Sequence, residues 1–184
     1  MKKIILIVAA ALVSLSASAQ KFAHVNFNEL VMLMPAADSA TAQIAASQQE
    51  AQDTYKSMTD EFQVKYQQYQ QKSSTWTPAI RESKEKELQD IQTRIQDFDQ
   101  SIQQELQQQQ QQLMAPIQQR AVAAVEKLAK EGGYIYVFEK ASMLYVDETQ
   151  SVDLTPAARK ALNIPDGRTL ETLQQELQAQ AQKQ

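Results

Sequence analysis

One narrow apolar stripe between Thr77 and Lys130 constrains this chain more than any other feature. Its members recur at steps of three and four residues, and the positions between them are almost wholly Gln, Glu, Asp, Lys and Arg. Such a stripe is typical of a coiled-coil seam, since a helix that packs on a globular core needs a wider apolar face. It predicts a helix of roughly fifty residues, about 75 Å long, that projects from a smaller body. The stripe comprises Ile80, Leu88, Ile91, Ile95, Phe98, Ile102, Leu106, Leu113 and Ile117.

A second stripe of the same kind comes earlier and predicts a partner helix. Asp38 or Ser39 can cap this helix. Thr77-Pro78 then supplies an N-cap followed by proline at the first position of the long helix. We therefore expect an antiparallel helical hairpin over residues 38–116, with its tip near residues 73–77. The second stripe comprises Ile44, Ala51, Tyr55, Met58, Phe62, Tyr66 and Tyr69.

The two arms of this hairpin differ in length. Folding them about Thr75 places Met58 opposite Gln92 and Ile44 opposite Leu106, so the second arm outlasts the first. Pro116 should kink the excess, because proline removes a helical hydrogen bond. We expect the residues after it to re-enter the body and cover its sheet, through Ile117, Ala121, Val125 and Leu128.

The body itself is predicted from short apolar segments at both ends of the hairpin. Phe22 to Phe27 alternates and predicts a first strand, and Asn28 to Met34 predicts a helical turn. After Gly132-Gly133 stops the long helix, Tyr134 to Phe138 predicts a strand that is buried on both faces. Met143 to Val146 then completes a β-hairpin in this interpretation. Three short strands leave open edges that a neighbouring subunit must cover.

The end of the chain is predicted to be helical. Thr155-Pro156 caps a short helix through Leu162, and a last amphipathic piece carries Leu170, Leu173 and Leu177. The expected fold class is α+β and mostly α, with a small oligomerising β body and a long coiled-coil hairpin. The expected division is a body of residues 20–37 and 117–164, the hairpin of residues 38–116, and a C-terminal tail of residues 165–184.

The first nineteen residues have the layout of a secretory signal peptide. Lys2 and Lys3 precede a short apolar run, and Ala17-Ser18-Ala19 forms a small-residue cleavage site. The mature protein is expected to begin at Gln20 and to lie outside the cytoplasm. Without the two lysines its formal net charge changes from −4 to −6, which argues against nucleic acid as a partner. The sequence has no cysteine, so its stability must come from packing or assembly.

Catalytic chemistry has little support in the sequence. The single histidine, His24, lies in a predicted strand, and there is no cysteine, so nucleophilic sites and zinc sites built on His and Cys are absent. No glycine-rich phosphate loop opens a helix. We therefore expect neither an enzyme nor a cofactor or metal site, and we interpret His24 as a structural residue.

Aromatic and methionine side chains along the hairpin are the candidate binding residues. They offer contact area without strict geometry, which suits the binding of unfolded chains. Two simpler interpretations remain open: Phe62 can be a seam residue, and Trp76 can plug the tip. The candidates are Tyr55, Met58, Phe62, Tyr66, Tyr69 and Trp76. The candidate oligomerisation residues of the body are Val25, Phe27, Ile135, Tyr136, Val137 and Phe138.

The order of these elements resembles the Skp/OmpH family of periplasmic chaperones. The resemblance rests on the opening Lys21–Phe27, on Gly133–Phe138 and on Val152–Thr155, placed around a long helical hairpin. It implies a homotrimer whose three hairpins hang from joined β bodies like tentacles. The implied function is to hold unfolded outer-membrane β-barrel proteins in a cavity between the tentacles, without ATP.

Two other functions stay open at this point. One is a secreted structural coiled coil that spaces components of the cell envelope and has no client. The other is a lipid or glycan binder that uses the basic residues Lys72, Arg81, Lys84 and Lys86. The acidic net charge argues against contact with anionic membrane or lipopolysaccharide, because the glutamates of the tip offset these basic residues.

Overall fold

A computed structural model describes residues 21–181. The signal peptide predicted at residues 1–19 lies outside this range. The fold is α+β and mostly helical, as the sequence predicts. Its elements are β1 (Lys21–Val25), α1 (Phe27–Leu33), α2 (Pro35–Lys72), a 3-10 turn (Ser73–Thr75), α3 (Pro78–Gly132), β2 (Tyr134–Glu139), a second 3-10 turn (Lys140–Ser142), β3 (Ser151–Asp153), α4 (Thr155–Ala161) and α5 (Leu170–Ala181).

The chain forms two compact units. Residues 35–117 make up the hairpin unit, and residues 21–34 together with 118–181 make up the sheet unit. Helix α3 contributes residues to both units and is continuous through Pro116. The kink expected at Pro116 stays a prediction.

The hairpin unit consists of α2, the first 3-10 turn and the greater part of α3. Helix α2 has 38 residues, which corresponds to about 57 Å. The hydroxyl of Thr77 accepts from the amide of Ile80 at 3.4 Å, and α3 begins at Pro78. The predicted start of the long helix is therefore confirmed. The start of α2 was predicted too late, since the helix begins at Pro35, where the missing amide hydrogen of proline costs nothing.

The contacts between the two arms correct their predicted register. Folding about Thr75 puts Ser47 opposite Gln103, but the amide group of Gln109 donates to Ser47 Oγ at 2.9 Å. Side chains in an α-helix lean toward its N-terminus, so those of two antiparallel arms lean in opposite directions. Contacting pairs are therefore displaced along the hairpin from pairs counted evenly outward from the tip.

The sheet unit is built on a three-stranded parallel sheet in the order β2-β1-β3. His24 of the central strand is paired with Phe138 on one side and with Asp153 on the other. The predicted β-hairpin was wrong, because Met143 to Val146 is a loop and the third strand is β3. A parallel pair needs a long crossover, which α3 supplies between β1 and β2.

The first strand is also shorter than its alternating pattern predicts. It ends at Val25, and Phe27 already belongs to α1. Asn26 caps this helix, with its side-chain oxygen accepting from the Glu29 amide at 3.2 Å and its side-chain nitrogen donating to the Glu29 carboxylate at 3.1 Å. This reciprocal cap outweighs the strand pattern at Phe27.

The end of α3 lies over the sheet, as the sequence predicts. Its residues Val122, Val125 and Ala129 line a cavity together with Val25 and Val137 of the strands. The buried apolar residues of the sheet unit come from β1, α1, the end of α3, α4 and the segments next to α4. They are Ala23, Val25, Leu30, Val31, Leu33, Met34, Ala121, Leu154, Ala158, Leu162 and Ile164.

The C-terminal helices pack on α1 within the sheet unit. Arg159 of α4 ties them together, because its guanidinium contacts the Glu29 carboxylate at 2.5 Å and also donates to the backbone oxygens of Pro165 and Arg168. The predicted amphipathic tail forms α5.

Candidate functional site

The candidate binding residues of α2 differ in how much of each side chain reaches solvent. Tyr55 is 44% exposed and Tyr66 is 45% exposed, whereas Met58 and Phe62 are half-buried. The rings of Phe62 and Tyr66 stack, with their centroids 5.9 Å apart. The spacing of these four residues places them on one side of the helix. We call this set the aromatic stripe; it offers two exposed tyrosines backed by two half-buried apolar side chains.

Tyr69 and Trp76, the two candidates nearest the tip, contact each other. Their rings meet edge to face with centroids 5.8 Å apart, and the Tyr69 hydroxyl donates to the Glu85 carboxylate of α3. This hydrogen bond raises the pKa of Tyr69 above its ordinary value. The contact across the turn is the one that the tip-plug interpretation of Trp76 requires.

Ion pairs join the arms beside the aromatic stripe. Glu87 of α3 accepts from Lys65 of α2 and from Lys84 of its own helix, the latter at 2.8 Å. The hydrogen bond from Lys65, followed by that from Lys84, lowers the pKa of Glu87 to about 2. A second pair links Arg94 and Glu61 at 2.7 Å. These pairs fix the arms next to the stripe and leave its tyrosines uncovered.

Sequence reasoning missed two apolar side chains on the surface of the hairpin. Val64 of α2 and Ile80 of α3 are both exposed. Val64 lies two residues after Phe62, so it is on the opposite side of α2 from the aromatic stripe. Ile80 was assigned to the seam by its spacing, but it lies in the first turn of α3, immediately after the tip. Its position two residues after Pro78, at the very start of the helix, was the signal in the sequence that it could be exposed.

The candidate oligomerisation residues of the sheet unit differ in exposure, and Phe27 and Val137 are half-buried. Val25 is buried within its own chain, whereas Ile135, Tyr136 and Phe138 of β2 are exposed. The expectation that both faces of this strand are buried is therefore not met within one chain. Tyr136 packs against Phe22 of β1 and against Phe138, with centroids 6.4 Å and 5.9 Å apart. Tyr136 and Phe138 thus belong, with Phe22, to a continuous aromatic cluster on one face of the sheet, whereas Ile135 lies on the other face.

His24 lies beside two residues that sequence spacing could not associate with it. Its Nδ1 is 2.9 Å from Ser151 Oγ, and its Nε2 is 3.8 Å from Asp153 Oδ2. The imidazole is fully buried between strands β1 and β3, so a substrate cannot reach it. These residue types also form nucleophilic triads, but the burial here supports the structural role predicted for His24. Among residues 21–181 no group of His, Asp and Glu side chains could hold a metal ion.

Comparisons with known proteins identify the family. The family described as outer membrane protein (OmpH-like) matches residues 21–162, which include both arms of the hairpin and all three strands. A comparison with curated protein sequences found no match. Within the described part of the chain, no helix is both long enough and apolar enough to span a membrane. The family is one of periplasmic chaperones and is not enzymatic. Because the match covers most of the sequence, the chain belongs to the OmpH-like family.

Proposed function

We propose that this protein is an ATP-independent periplasmic holdase that binds unfolded outer-membrane β-barrel proteins and prevents their aggregation. The observation that carries the proposal is the aromatic stripe, with Tyr55 and Tyr66 exposed on one side of a largely polar helix. Exposed tyrosines contribute large amphipathic contact area with little loss of side-chain entropy. Such a surface can accept many client sequences.

The chemistry of the clients explains why such a surface is useful. Strands of outer-membrane barrels alternate between apolar and polar residues and aggregate in water before insertion. A binder without an energy source acts by mass action, so it must lower the free concentration of the aggregating chain through reversible contacts. The aromatic stripe supplies contacts of this kind, and several copies of it supply them at once.

The proposed active form is a homotrimer that encloses its client between three hairpins. The exposed aromatic cluster on the sheet supports assembly, because an apolar surface of this kind on a soluble protein marks an interaction site. Three joined sheet units would place three aromatic stripes around one client. We propose that the chain reaches the periplasm through cleavage of a signal peptide before Gln20. Because its net charge is acidic, we propose that the protein binds its clients without contacting membrane or lipopolysaccharide itself.

The test compares two double variants of the mature protein. Tyr55→Ser/Tyr66→Ser removes the exposed rings of the aromatic stripe, and Val64→Ser/Ile80→Ser removes exposed apolar side chains elsewhere on the hairpin. Each variant is mixed with several unrelated urea-diluted barrels, and aggregation is followed by turbidity. Loss of two tyrosine contacts should raise the concentration needed for half-suppression by roughly tenfold or more, at about 1 kcal/mol per contact.

The control variant should suppress aggregation as well as the original protein does, and light scattering should show the same assembly for all three. Equal activity of the stripe variant would refute the assignment of the aromatic stripe. If the unaltered protein leaves every barrel to precipitate, the chaperone proposal fails, and the alternative of a structural scaffold without clients takes its place.

A further inference from the structure

The loop between β2 and β3 presents two large apolar side chains to solvent. In this segment, residues 143–146, which we call the finger loop, Leu144 is fully exposed and Tyr145 is 81% exposed. The segment was predicted as a strand, but it pairs with no strand among the described residues. Adjacent exposed Leu and Tyr side chains on a loop are unusual on a soluble protein unless they bind something.

Hydrogen bonds and ion pairs hold the finger loop at both of its ends. Before it, the amide of Met143 donates to the Lys140 oxygen at 3.2 Å. After it, the Asp147 carboxylate accepts from the amide and the hydroxyl of Thr149 at 2.9 and 2.6 Å. The Lys140 ammonium lies 3.8 Å from Glu148 and thus connects the two ends. The loop is therefore pre-organised, which lowers the entropy lost when its side chains bind.

A mostly apolar cavity lies elsewhere on the same unit, between the end of α3 and the sheet. Its volume is about 480 Å³, within the range of about 300–1,000 Å³ usual for binding pockets. Two glutamates also line it. The Glu139 carboxylate accepts from the amides of Phe27 and Ala141, whereas the Glu126 side chain is 62% exposed. The apolar lining residues are Val25, Phe27, Val122, Val125, Ala129 and Val137. We call this cavity the sheet groove.

We propose that the finger loop of one copy inserts into the sheet groove of the next copy. Leu144 fills the apolar part of the groove, and the Tyr145 hydroxyl donates to the exposed carboxylate of Glu126. A second copy of this chain is the occupant because each copy carries one finger loop and one sheet groove of complementary chemistry. The contact is heterologous, so it closes a ring when the rotation between copies allows closure. The inference rests on the proposed assembly and names the surfaces that form it.

Disulfide formation between introduced cysteines tests the contact directly, because the sequence has no cysteine of its own. One chain carries Leu144→Cys, and a second chain of different tag length carries Val125→Cys. The two are unfolded together, refolded and oxidised. We expect a disulfide-linked pair of one long and one short chain, formed at least tenfold faster than in a mixture that pairs Leu144→Cys with Leu177→Cys. Leu177 is an exposed apolar residue of α5 and serves as the matched control.

A non-disruptive variant provides the second measurement. Leu144→Ser/Tyr145→Ser changes only exposed side chains, so circular dichroism should show an unchanged fold. The protein concentration at which the assembly dissociates should be at least tenfold higher for this variant than for the original protein. Leu177→Ser should leave the assembly unchanged.

The outcomes separate this inference from the proposed function. A stable oligomer that forms no Leu144–Val125 disulfide refutes the finger-loop contact and leaves the proposed assembly intact. Pairing of Leu144→Cys with itself at the faster rate also refutes it, because the contact would then be loop to loop. A monomer at all concentrations refutes both the inference and the proposed trimer.

Discussion

The same substitution at two isoleucines of α3 measures whether the hairpin seam is formed as described. Ile91 is 3% exposed and Ile80 is 45% exposed. Ile91→Ala removes three buried carbon groups worth about 0.8 kcal/mol each, or about 2.4 kcal/mol in transfer free energy. The cavity that remains raises the expected loss in the free energy of unfolding to about 3 kcal/mol. Ile80→Ala should cost about 1 kcal/mol or less, because its side chain already contacts water and leaves no closed cavity.

Equilibrium unfolding in urea, followed by far-ultraviolet circular dichroism, compares the two variants. All samples need the same protein concentration, since assembly couples to stability by mass action. The reasoning is refuted if the two variants lose the same free energy of unfolding, because the burial of Ile91 would then not exist in solution. A larger loss for Ile80→Ala would show that the side chain next to the tip is the more deeply buried of the two.

Two further predictions concern the end of α3 and the ion pairs between the arms. Gly133 has a positive φ of 68°, so Gly133→Ala should lower the free energy of unfolding by about 1 kcal/mol. The control is Gly167→Ala, where an added methyl group meets nothing within 4 Å, and it should lower this free energy by less in the same urea titration. Equal losses for the two variants would contradict this account. The pKa of Glu87 is lowered to about 2, so its stabilisation is complete above the ordinary value of 4.5 and is lost as pH falls toward 2. The stability advantage of the original protein over Glu87→Gln should therefore shrink as pH falls from 4.5 to 2, and an undiminished advantage at pH 2 would rule out the ion pairs as its source.

Features set by neighbouring residues could be predicted from the sequence. The long stripe of α3, the Thr77-Pro78 start and the Gly132-Gly133 stop each depend on contacts within a few positions, and the hairpin follows from them. The start of the first strand was equally visible, but its end was not, because the cap formed by Asn26 and Glu29 competes with an alternating pattern. Local signals that disagree leave element ends uncertain.

The pairing of the strands could not be predicted, because the partners are far apart in sequence. Ser151, whose hydroxyl lies beside His24, is 127 positions away from it. Strand β3 is only three residues long and has no apolar alternation of its own. The apolar run of Met143 to Val146 was the stronger strand signal, yet its side chains are presented by a loop.

The placement of the candidate binding residues of α2 on one side of the helix could be predicted, but the exposure of each side chain could not. Spacing put Tyr55, Phe62 and Tyr66 on one stripe, which is the arrangement in the structure. It could not tell which of them the other arm covers, because that depends on the register of the two helices. The predicted register differed from the observed contacts along the hairpin, so the exposure of each side chain could not be predicted from the sequence.

The central position of β1 in the sheet has a consequence for the time course of folding. This strand comes first among the described elements, yet both of its partners follow α3 in the sequence. The arms of the hairpin can meet through a short turn as soon as both exist, whereas β1 must wait unpaired until β2 and β3 have been made. Contacts of such long separation form slowly because the intervening chain must first be ordered. The sheet unit should therefore be the last part of the chain to fold, which keeps newly made chains from associating before they are complete.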